Sequence, residues 1–267
     1  MRVLLALTYY RPHVSGLTIY VERLAMALAR RGHQATVLTS HFDPSTLLDE
    51  WRDGVHVVRA PVAARVSKGV LMPQLGRLAS QLAREHDVLS IHLPQFDAPG
   101  LTIRAHALNK PAILTYHCDL QLPPGGFNRM VDEVVFAANY AAARMADRIV
   151  TYTQDFAEHS RLLSRFSSKL AVIPPPVVMR QPQDMEVDAF KAVHAPTGGP
   201  LIGFVARLAA EKGVEYMVEA MPRILQRWPN ARVLFAGQYQ DVLGEDAYRE
   251  RLKAPIASLG PHWEFLG

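Results

Sequence analysis

Two basic residues, Arg207 and Lys212, form the first candidate for chemistry in this sequence. The apolar run Leu201 to Ala206 precedes them with the length of a buried strand. Gly213 then opens a helix with apolar residues at i, i+3, i+4 and i+7. In an open α/β sheet, ligands bind beyond the carboxyl ends of strands, where helix N-termini point free N–H groups. Two cations there predict a phosphate or pyrophosphate site, although taken alone they could equally be solvated loop charges.

Three strand ends in the first half of the chain also carry polar side chains. The clusters are Tyr10, Arg11, His13, Ser15 and Gly16 after the first strand, His92, Gln95 and Asp97 after a middle strand, and His117, Cys118 and Asp119 after a later one. Parallel strands bring their carboxyl ends to one edge of a sheet, so we expect these clusters to lie near one another. A single histidine at a strand end is more often structural than catalytic, but three polar clusters together indicate a binding site.

Other kinds of site receive less support. His92, His117 and Asp119 are possible transition-metal ligands, but no HxH or HExxH spacing accompanies them, and we expect no metal. Cys118 is predicted to be a buried, inert thiol, because neighbours on a strand alternate faces. The first strand-to-helix turn holds only Gly16, so the GxGxxG dinucleotide fingerprint is absent. Free N–H groups at that helix start still suit a carboxylate or phosphate.

Strands and helices alternate along the chain, which predicts an α/β protein with mostly parallel, doubly wound sheets. The predicted strands are Val3–Leu7, Ala35–Leu38, Val55–Arg59, Asp87–Leu93, Ala112–Tyr116, Arg148–Thr153, Leu170–Ile173, Leu201–Ala206, Arg232–Ala236 and Trp263–Leu266. Helices are predicted after Gly16, over Gly69–Glu85, Phe96–Leu108 and Phe127–Met145, after an Asp155 N-cap, up to Trp228, and over Glu245–Leu259. Pro174–Pro176 begins a polar segment, predicted to be an irregular linker over 176–199 between a domain of residues 1–175 and a partial domain of residues 200–267.

Composition argues against several classes of protein. The chain has 267 residues, of which 49% are hydrophobic. Its formal net charge is +4 and is spread along the chain without long runs of like charge, and this pattern does not indicate nucleic-acid binding. A single cysteine excludes an intrachain disulfide. No leader-like segment or membrane-spanning run is apparent, so we expect a soluble, cytoplasmic protein. Its basic helix faces leave peripheral contact with the inner face of a membrane as an open alternative.

Four stretches, in the correct order, together resemble the retaining glycosyltransferases of family 4: Tyr9–Thr39, Leu114–Asp119, Val172–Val177 and Gly203–Gly213. The resemblance implies the GT-B architecture of two facing Rossmann-like domains. It also implies transfer of a sugar from a nucleotide-diphosphate donor to an acceptor, with the anomeric configuration retained and usually without a metal or other cofactor.

The resemblance assigns roles by position. Arg207 and Lys212 correspond to the catalytic basic pair that binds the donor pyrophosphate in an interdomain cleft and stabilises its charge as the sugar leaves. Gly16 corresponds to the second glycine of a Gly-Gly loop beside the donor and the acceptor, and Ser15 stands in place of the first. His117 corresponds to the histidine that contacts the transferred sugar at the catalytic centre. On the acceptor side, the candidates are Tyr10, His13, Ser15, His92 and Asp119.

Two departures from the family pattern qualify this expectation. Pro175 and Pro176 replace the usual Asn-Gly at the hinge, and no Glu-x7-Glu motif follows Lys212. We therefore expect a GT-B-like enzyme with an incomplete second domain and impaired transfer. The alternative is a non-catalytic binding or assembly protein that forms homo-oligomers through that domain, and an oxidoreductase or epimerase is a third hypothesis. The donor nucleotide, the sugar and the acceptor (a sugar, a lipid or a small molecule) stay open.

Overall fold

A computed structural model describes residues 1–66, 69–120, 125–177, 179–242 and 244–267. The chain divides into two compact units, Met1–Val178 and Met179–Gly267. Each unit has its own sheet and its own hydrophobic core.

The first unit is built on a largely parallel sheet. Its strands are β1 (Arg2–Ala6), β2 (Gln34–His41), β3 (Asp49–Arg52), β4 (Val55–Pro61), β5 (Ala64–Val66), β6 (Gly69–Leu71), β7 (Val88–Leu93), β8 (Ala112–Tyr116), β9 (Arg148–Thr151) and β10 (Leu170–Val172). Eight of them form one sheet in the order β10-β9-β8-β7-β1-β2-β4-β3, and only β3 runs antiparallel to its neighbour. The hairpin β5–β6 stands apart from that sheet. The predicted parallel, doubly wound sheet is confirmed.

Helices cover this sheet: α1 (Gly16–Arg30), α2 (Leu75–Glu85), α3 (Ala98–Ala107), α4 (Gly126–Met145) and α5 (Gln154–His159). Because β1 is buried on both faces, its side chains divide between two cores. Leu4 and Ala6 join one core cluster, whereas Val3 and Leu5 join the other. This two-sided burial explains why the strand reads as an unbroken apolar run.

The second unit repeats the strand–helix alternation on a smaller scale. It contains α6 (Asp184–His194), β11 (Leu201–Val205), α7 (Val214–Arg227), β12 (Arg232–Ala236), α8 (Asp246–Ser258) and β13 (Trp263–Phe265). The three strands are parallel in the order β11-β12-β13. Phe235 and Met221 are fully buried at the centre of its core.

Three sequence predictions were wrong in part. The predicted helix over Gly69–Glu85 begins only at Leu75, since Gly69–Leu71 pairs with β5 instead. The segment 176–199, predicted to be irregular, contains α6, and its Val178 lies outside the described residues. Arg232 on β12 donates to the carbonyl at the end of that helix. Thr153, not Asp155, caps α5, because its hydroxyl accepts the Phe156 N–H at 3.1 Å.

Candidate active site

The strand order of the first unit creates a crevice of the kind in which ligands bind. β1 and β7 are neighbours, and the chain winds away from them in opposite directions along the sheet. Ligands of open α/β sheets bind outside the carboxyl ends of strands at such a switch point. A cavity of about 430 Å³ lies there, lined by residues that follow β1, β7 and β8. Among its lining residues are His13, Ser15, Gln95, Asp97 and Cys118.

A chain of hydrogen bonds runs through the ends of β7, β8 and β9. Ser90 Oγ lies 3.3 Å from His92 Nε2, and His92 Nδ1 lies 3.1 Å from His117 Nε2. The Tyr152 hydroxyl bonds to His117 Nδ1 at the far end of the chain. Three strands therefore supply one continuous polar network inside the unit.

Burial keeps both imidazoles of this network neutral. It lowers the pKa of His117 from 6.5 to about 4, and it lowers the pKa of fully buried His92 well below 6.5, with the nearby His117 adding to that effect. Burial also raises the pKa of Tyr152, so its phenol keeps a proton to donate. If Tyr152 donates to His117 Nδ1, His117 carries its proton on Nε2 and donates to His92, which in turn donates to Ser90.

Tyr20 on α1 packs beside this network. Its ring centroid lies 5.0 Å from that of His117 at an interplanar angle of 90°, and 5.6 Å from that of Tyr152. The edge-to-face contact with Tyr20 holds the plane of the His117 imidazole, in addition to the hydrogen bonds at its nitrogens. The orientation of His117 is thus set by bonds at both nitrogens and by an aromatic wall.

This arrangement limits how His117 could contact a sugar, and it argues against the predicted contact of His92 with an acceptor. Both ring nitrogens of His117 are bonded within the protein, so a nitrogen reaches a ligand only if one of these bonds opens. His92 is fully buried and cannot touch an acceptor directly. Sequence reasoning missed Ser90 and Tyr152. Tyr152 directly follows β9, so applying the strand-end rule to a fourth strand could have found it.

Two other acceptor-side candidates hold the fold together. Tyr10 is buried in a core cluster, and burial raises its pKa to about 12. Asp119 Oδ1 accepts from the Tyr116 hydroxyl at 2.8 Å and from Ser160 Oγ at 2.9 Å, which ties the end of β8 to the segment after α5. The predicted burial of Cys118 was wrong, since its side chain is exposed at the cavity.

The turn between β1 and α1 carries two of the candidate residues, His13 and Ser15, at the cavity. Ser15 is the N-cap of α1, with its Oγ accepting the Thr18 N–H at 3.2 Å. Ser15 therefore stabilises the start of α1. A Cβ atom added to Gly16 would meet no heavy atom within 4 Å, so the backbone there faces open space. His13 is exposed and lines the cavity together with Ser15.

In the second unit, Arg207 and Lys212 occupy the loop between β11 and α7. Leu208 and Ala209 between them are buried and anchor the loop, whereas Arg207 and Lys212 are both exposed. Arg207 forms an ion pair with Glu211 at 3.0 Å. Lys212 has no ion pair with any residue that the structure describes. The loop thus presents cationic groups at the carboxyl end of a strand, the position that the sequence predicts.

The residues that could ligate a metal are spread apart in the described part of the chain. Within the ranges that the structure describes, no three His, Cys, Asp or Glu side chains gather closely enough to hold a metal ion. His92 uses both of its ring nitrogens in the hydrogen-bonded network, and Asp119 is tied to Tyr116 and Ser160. In the same described part of the chain, no helix is long and apolar enough to cross a membrane.

Comparison with known families finds two matches that together cover most of the chain. The profile of Glycosyltransferase Family 4 matches residues 14–181. The profile of Glycosyl transferases group 1 matches residues 186–267. The boundary between the two matches falls close to the division between the compact units.

Individual relatives include a protein named as a glycosyltransferase, a glycogen synthase and an N-acetyl-D-glucosaminyltransferase. An uncharacterized glycosyltransferase of Methanocaldococcus jannaschii is 24% identical over 97% of this chain and 69% of its own length. A glycogen synthase of Mycobacterium tuberculosis is 27% identical over 100% of this chain and 69% of its own length. The 2-deoxystreptamine N-acetyl-D-glucosaminyltransferase of Streptomyces fradiae is 28% identical over 92% of this chain and 62% of its own length.

Solved structures share the fold. Anabaena HepE in complex with UDP and glucose has a TM-score of 0.70 at 20% identity, covering 99% of this chain and 68% of that one. A UDP-forming α,α-trehalose-phosphate synthase from Burkholderia vietnamiensis has a TM-score of 0.59 at 14% identity, covering 100% of this chain and 73% of that one. These likenesses support the GT-B-like α/β architecture.

Proposed function

Because this chain belongs to Glycosyltransferase Family 4, we propose that it transfers a sugar from a uridine-diphosphate donor to a hydroxyl acceptor, with retention of the anomeric configuration. The observation that carries the proposal is the pair of exposed cations, Arg207 and Lys212, held at the carboxyl end of β11 by a buried loop segment. The choice of uridine follows the neighbours whose structures or names contain UDP.

The two cations match what the reaction needs. When the bond between the sugar C1 atom and the diphosphate oxygen breaks, the electron pair stays on the diphosphate, and fixed positive groups stabilise that charge. The acceptor oxygen forms the new bond to C1, and its proton leaves with the diphosphate. Arg207 can bond two phosphate oxygens with its planar fork, whereas Lys212 contributes a compact charge.

Roles in the first unit complete the proposal. Ser15 and His13 line a cavity at the switch point, where an acceptor would lie. The open space above Gly16 leaves room for a ligand phosphate near the start of α1. His117 is held by its network in one orientation, and we assign it the position beside the transferred sugar that the family resemblance implies.

The relatives favour an enzyme over the alternative of a non-catalytic assembly protein, since those named here are glycosyltransferases or synthases. The second unit does present β11 and β13 as the edge strands of its three-stranded sheet. Self-association through such edges stays a prediction, which light scattering of the purified chain can test.

A thermal-shift panel tests the donor proposal. UDP, UDP-glucose and UDP-N-acetylglucosamine should raise the melting temperature, whereas uridine should not, because the diphosphate carries the contact to Arg207 and Lys212. At a hundredfold excess over the dissociation constant, stabilisation should reach about 2.7 kcal/mol. The absence of any shift with every nucleoside diphosphate would remove the proposal. For a donor that is turned over, proton NMR of the product reports whether the anomeric configuration is retained.

A further inference from the structure

The cavity at the switch point has mainly apolar walls. Its lining residues include Val70, Phe96, Leu120, Phe127, Met130 and Val134. A volume of about 430 Å³ lies in the range of sites that hold a drug-sized molecule. Sites for free sugars or polyamines need polar partners for each hydroxyl or ammonium group, and these walls offer few.

The first half of α4 supplies one wall of this cavity. Phe127, Met130 and Val134 follow one another at i, i+3 and i+7, so they share one face of the helix. Met130 is 56% exposed and Val134 is 47% exposed. The buried residues of α4, including Ala142 and Ala143, lie in its second half. The first half therefore presents an apolar stripe to the cavity rather than to the core.

Two polar groups at the cavity, the Gln95 side-chain amide nitrogen and the Asp97 carboxylate, lack partners among the described residues. Gln95 is only 6% exposed, yet its Nε2 donor has no hydrogen-bond partner among the described residues. The Asp97 carboxylate does not cap α3 and forms no ion pair with a described residue, and burial raises its pKa. A buried donor and a nearby carboxylate acceptor suit one hydroxyl group, which accepts from Gln95 and donates to Asp97.

We propose that this cavity binds the sugar acceptor, and that the acceptor is an uncharged amphiphile: an alkyl or aromatic body against the α4 stripe, with a hydroxyl at Gln95 and Asp97. This inference rests on the proposed function, which requires an acceptor. It adds the acceptor's chemical class. The apolar body removes the exposed faces of Met130 and Val134 from water, and the hydroxyl satisfies the buried amide.

Binding of octyl β-D-glucopyranoside, kept below its micelle concentration, tests this by calorimetry, with methyl β-D-glucopyranoside as the matched probe without an apolar body. The wild-type chain should bind the octyl compound at least tenfold more tightly. The double variant Met130→Gln/Val134→Ser should lose at least tenfold of that affinity. A matched control, Met185→Gln/Val193→Ser, changes two exposed residues of α6 and should bind like the wild type.

Equal affinity for the octyl and methyl compounds would overturn the proposal, as would equal losses in the two double variants. A membrane role would also overturn the proposal. In that case the chain floats with phosphatidylcholine vesicles, Met130→Gln/Val134→Ser abolishes the flotation, and monomeric octyl glucoside does not bind. The stripe would then be a membrane-binding face. Thermal shifts with UDP on the same variants keep the two proposals apart. An intact UDP shift without octyl glucoside binding refutes only the acceptor class. Octyl glucoside binding without a UDP shift refutes only the donor proposal.

Discussion

His92 Nδ1 lies 3.1 Å from His117 Nε2, and this contact links the interior of β7 to the end of β8. It makes a fully buried histidine the support of one that directly follows β8, next to the cavity residue Cys118. Contacts at both ring nitrogens therefore hold the His117 imidazole in one orientation before any ligand arrives. The supporting groups, Ser90 and Tyr152, lie on or next to the flanking strands.

Tyr152→Phe should weaken the hydrogen-bonded support of His117 while the aromatic ring stays packed in place. The change removes one hydrogen bond to His117, so we expect a loss of about 1 kcal/mol in the free energy of unfolding. It should also release the tautomer preference, seen as a shift of the His117 ring ¹⁵N resonances away from the Nε2-protonated pattern. Tyr216→Phe, at an exposed tyrosine, is the control. Unchanged ¹⁵N shifts in Tyr152→Phe would show that the phenol does not set the tautomer.

Stability should fall in mild acid because of His117. Its pKa is about 4 in the folded chain against an ordinary 6.5, so between these values the unfolded chain binds more protons. The stabilising contribution is present above pH 6.5 and is lost as the pH falls towards 4, with a size of about 3 kcal/mol. Urea unfolding at several pH values measures it.

Comparison with variants isolates this histidine from the carboxylates that also titrate. The pH dependence of His117→Asn should be shallower than that of the wild type between pH 6.5 and 4. His106→Asn, at an exposed histidine, should follow the wild type. Parallel curves for all three chains would exclude His117 as a source of the acid sensitivity.

Gly16→Ala should affect ligands more than folding. The new Cβ meets no heavy atom of the protein within 4 Å, so the melting temperature should stay within about 2 °C of the wild type. If a ligand phosphate approaches this backbone, UDP affinity should drop severalfold. Gly126→Ala is a matched control, since it also starts a helix and also faces open space. Equal UDP affinity in both variants would remove Gly16 from the donor site.

Gly237, unlike Gly16, has no space for a side chain. Its φ is +136°, and an added Cβ would lie 2.2 Å from the Ala206 carbonyl oxygen, next to Arg207. Gly237→Ala should therefore lower the melting temperature and weaken UDP binding together, because the loop that carries Arg207 must move. Loss of binding with unchanged stability would contradict this reason.

Glu211→Gln should strengthen diphosphate binding. Glu211 holds Arg207 in an exposed ion pair at 3.0 Å, and a donor phosphate competes with that carboxylate. Such a pair contributes little to stability, so the melting temperature should barely change. We expect UDP affinity to rise about two- to fivefold, by calorimetry at low salt. Weaker binding would mean that Glu211 orients Arg207 for the ligand.

The apolar strands were the easiest part to predict. Ala112–Tyr116 and Arg232–Ala236 match their predicted bounds, because both are buried runs between clear breaks. The edge strand Asp49–Arg52 was missed, since three of its four residues are charged and its pairing with β4 leaves no apolar pattern. The hairpin strand Gly69–Leu71 was mistaken for a helix because it is too short to show a period.

The places of the candidate residues at strand ends were predictable from the sequence, but their contacts were not. Polar residues at successive strand ends located His117, and the strand–loop–helix pattern located Arg207 and Lys212. The burial of His92 depends on partners at Ser90 and His117, and its link to His117 spans two strands, which a single-sequence pattern does not reveal. The cavity depends on which face α4 turns outward, and that is decided by tertiary packing.

Calorimetric titration of UDP into four chains tests the central claim most directly: the wild type, Arg207→Ala, Lys212→Ala and Arg223→Ala, the last changing an exposed arginine within α7. Each charge-assisted contact to a phosphate is worth about 1.5–3 kcal/mol, so the first two variants should bind at least tenfold more weakly than the wild type. Arg223→Ala should bind as the wild type does. If Arg207→Ala and Lys212→Ala bind UDP as tightly as the wild type, the donor site lies elsewhere and the account is wrong.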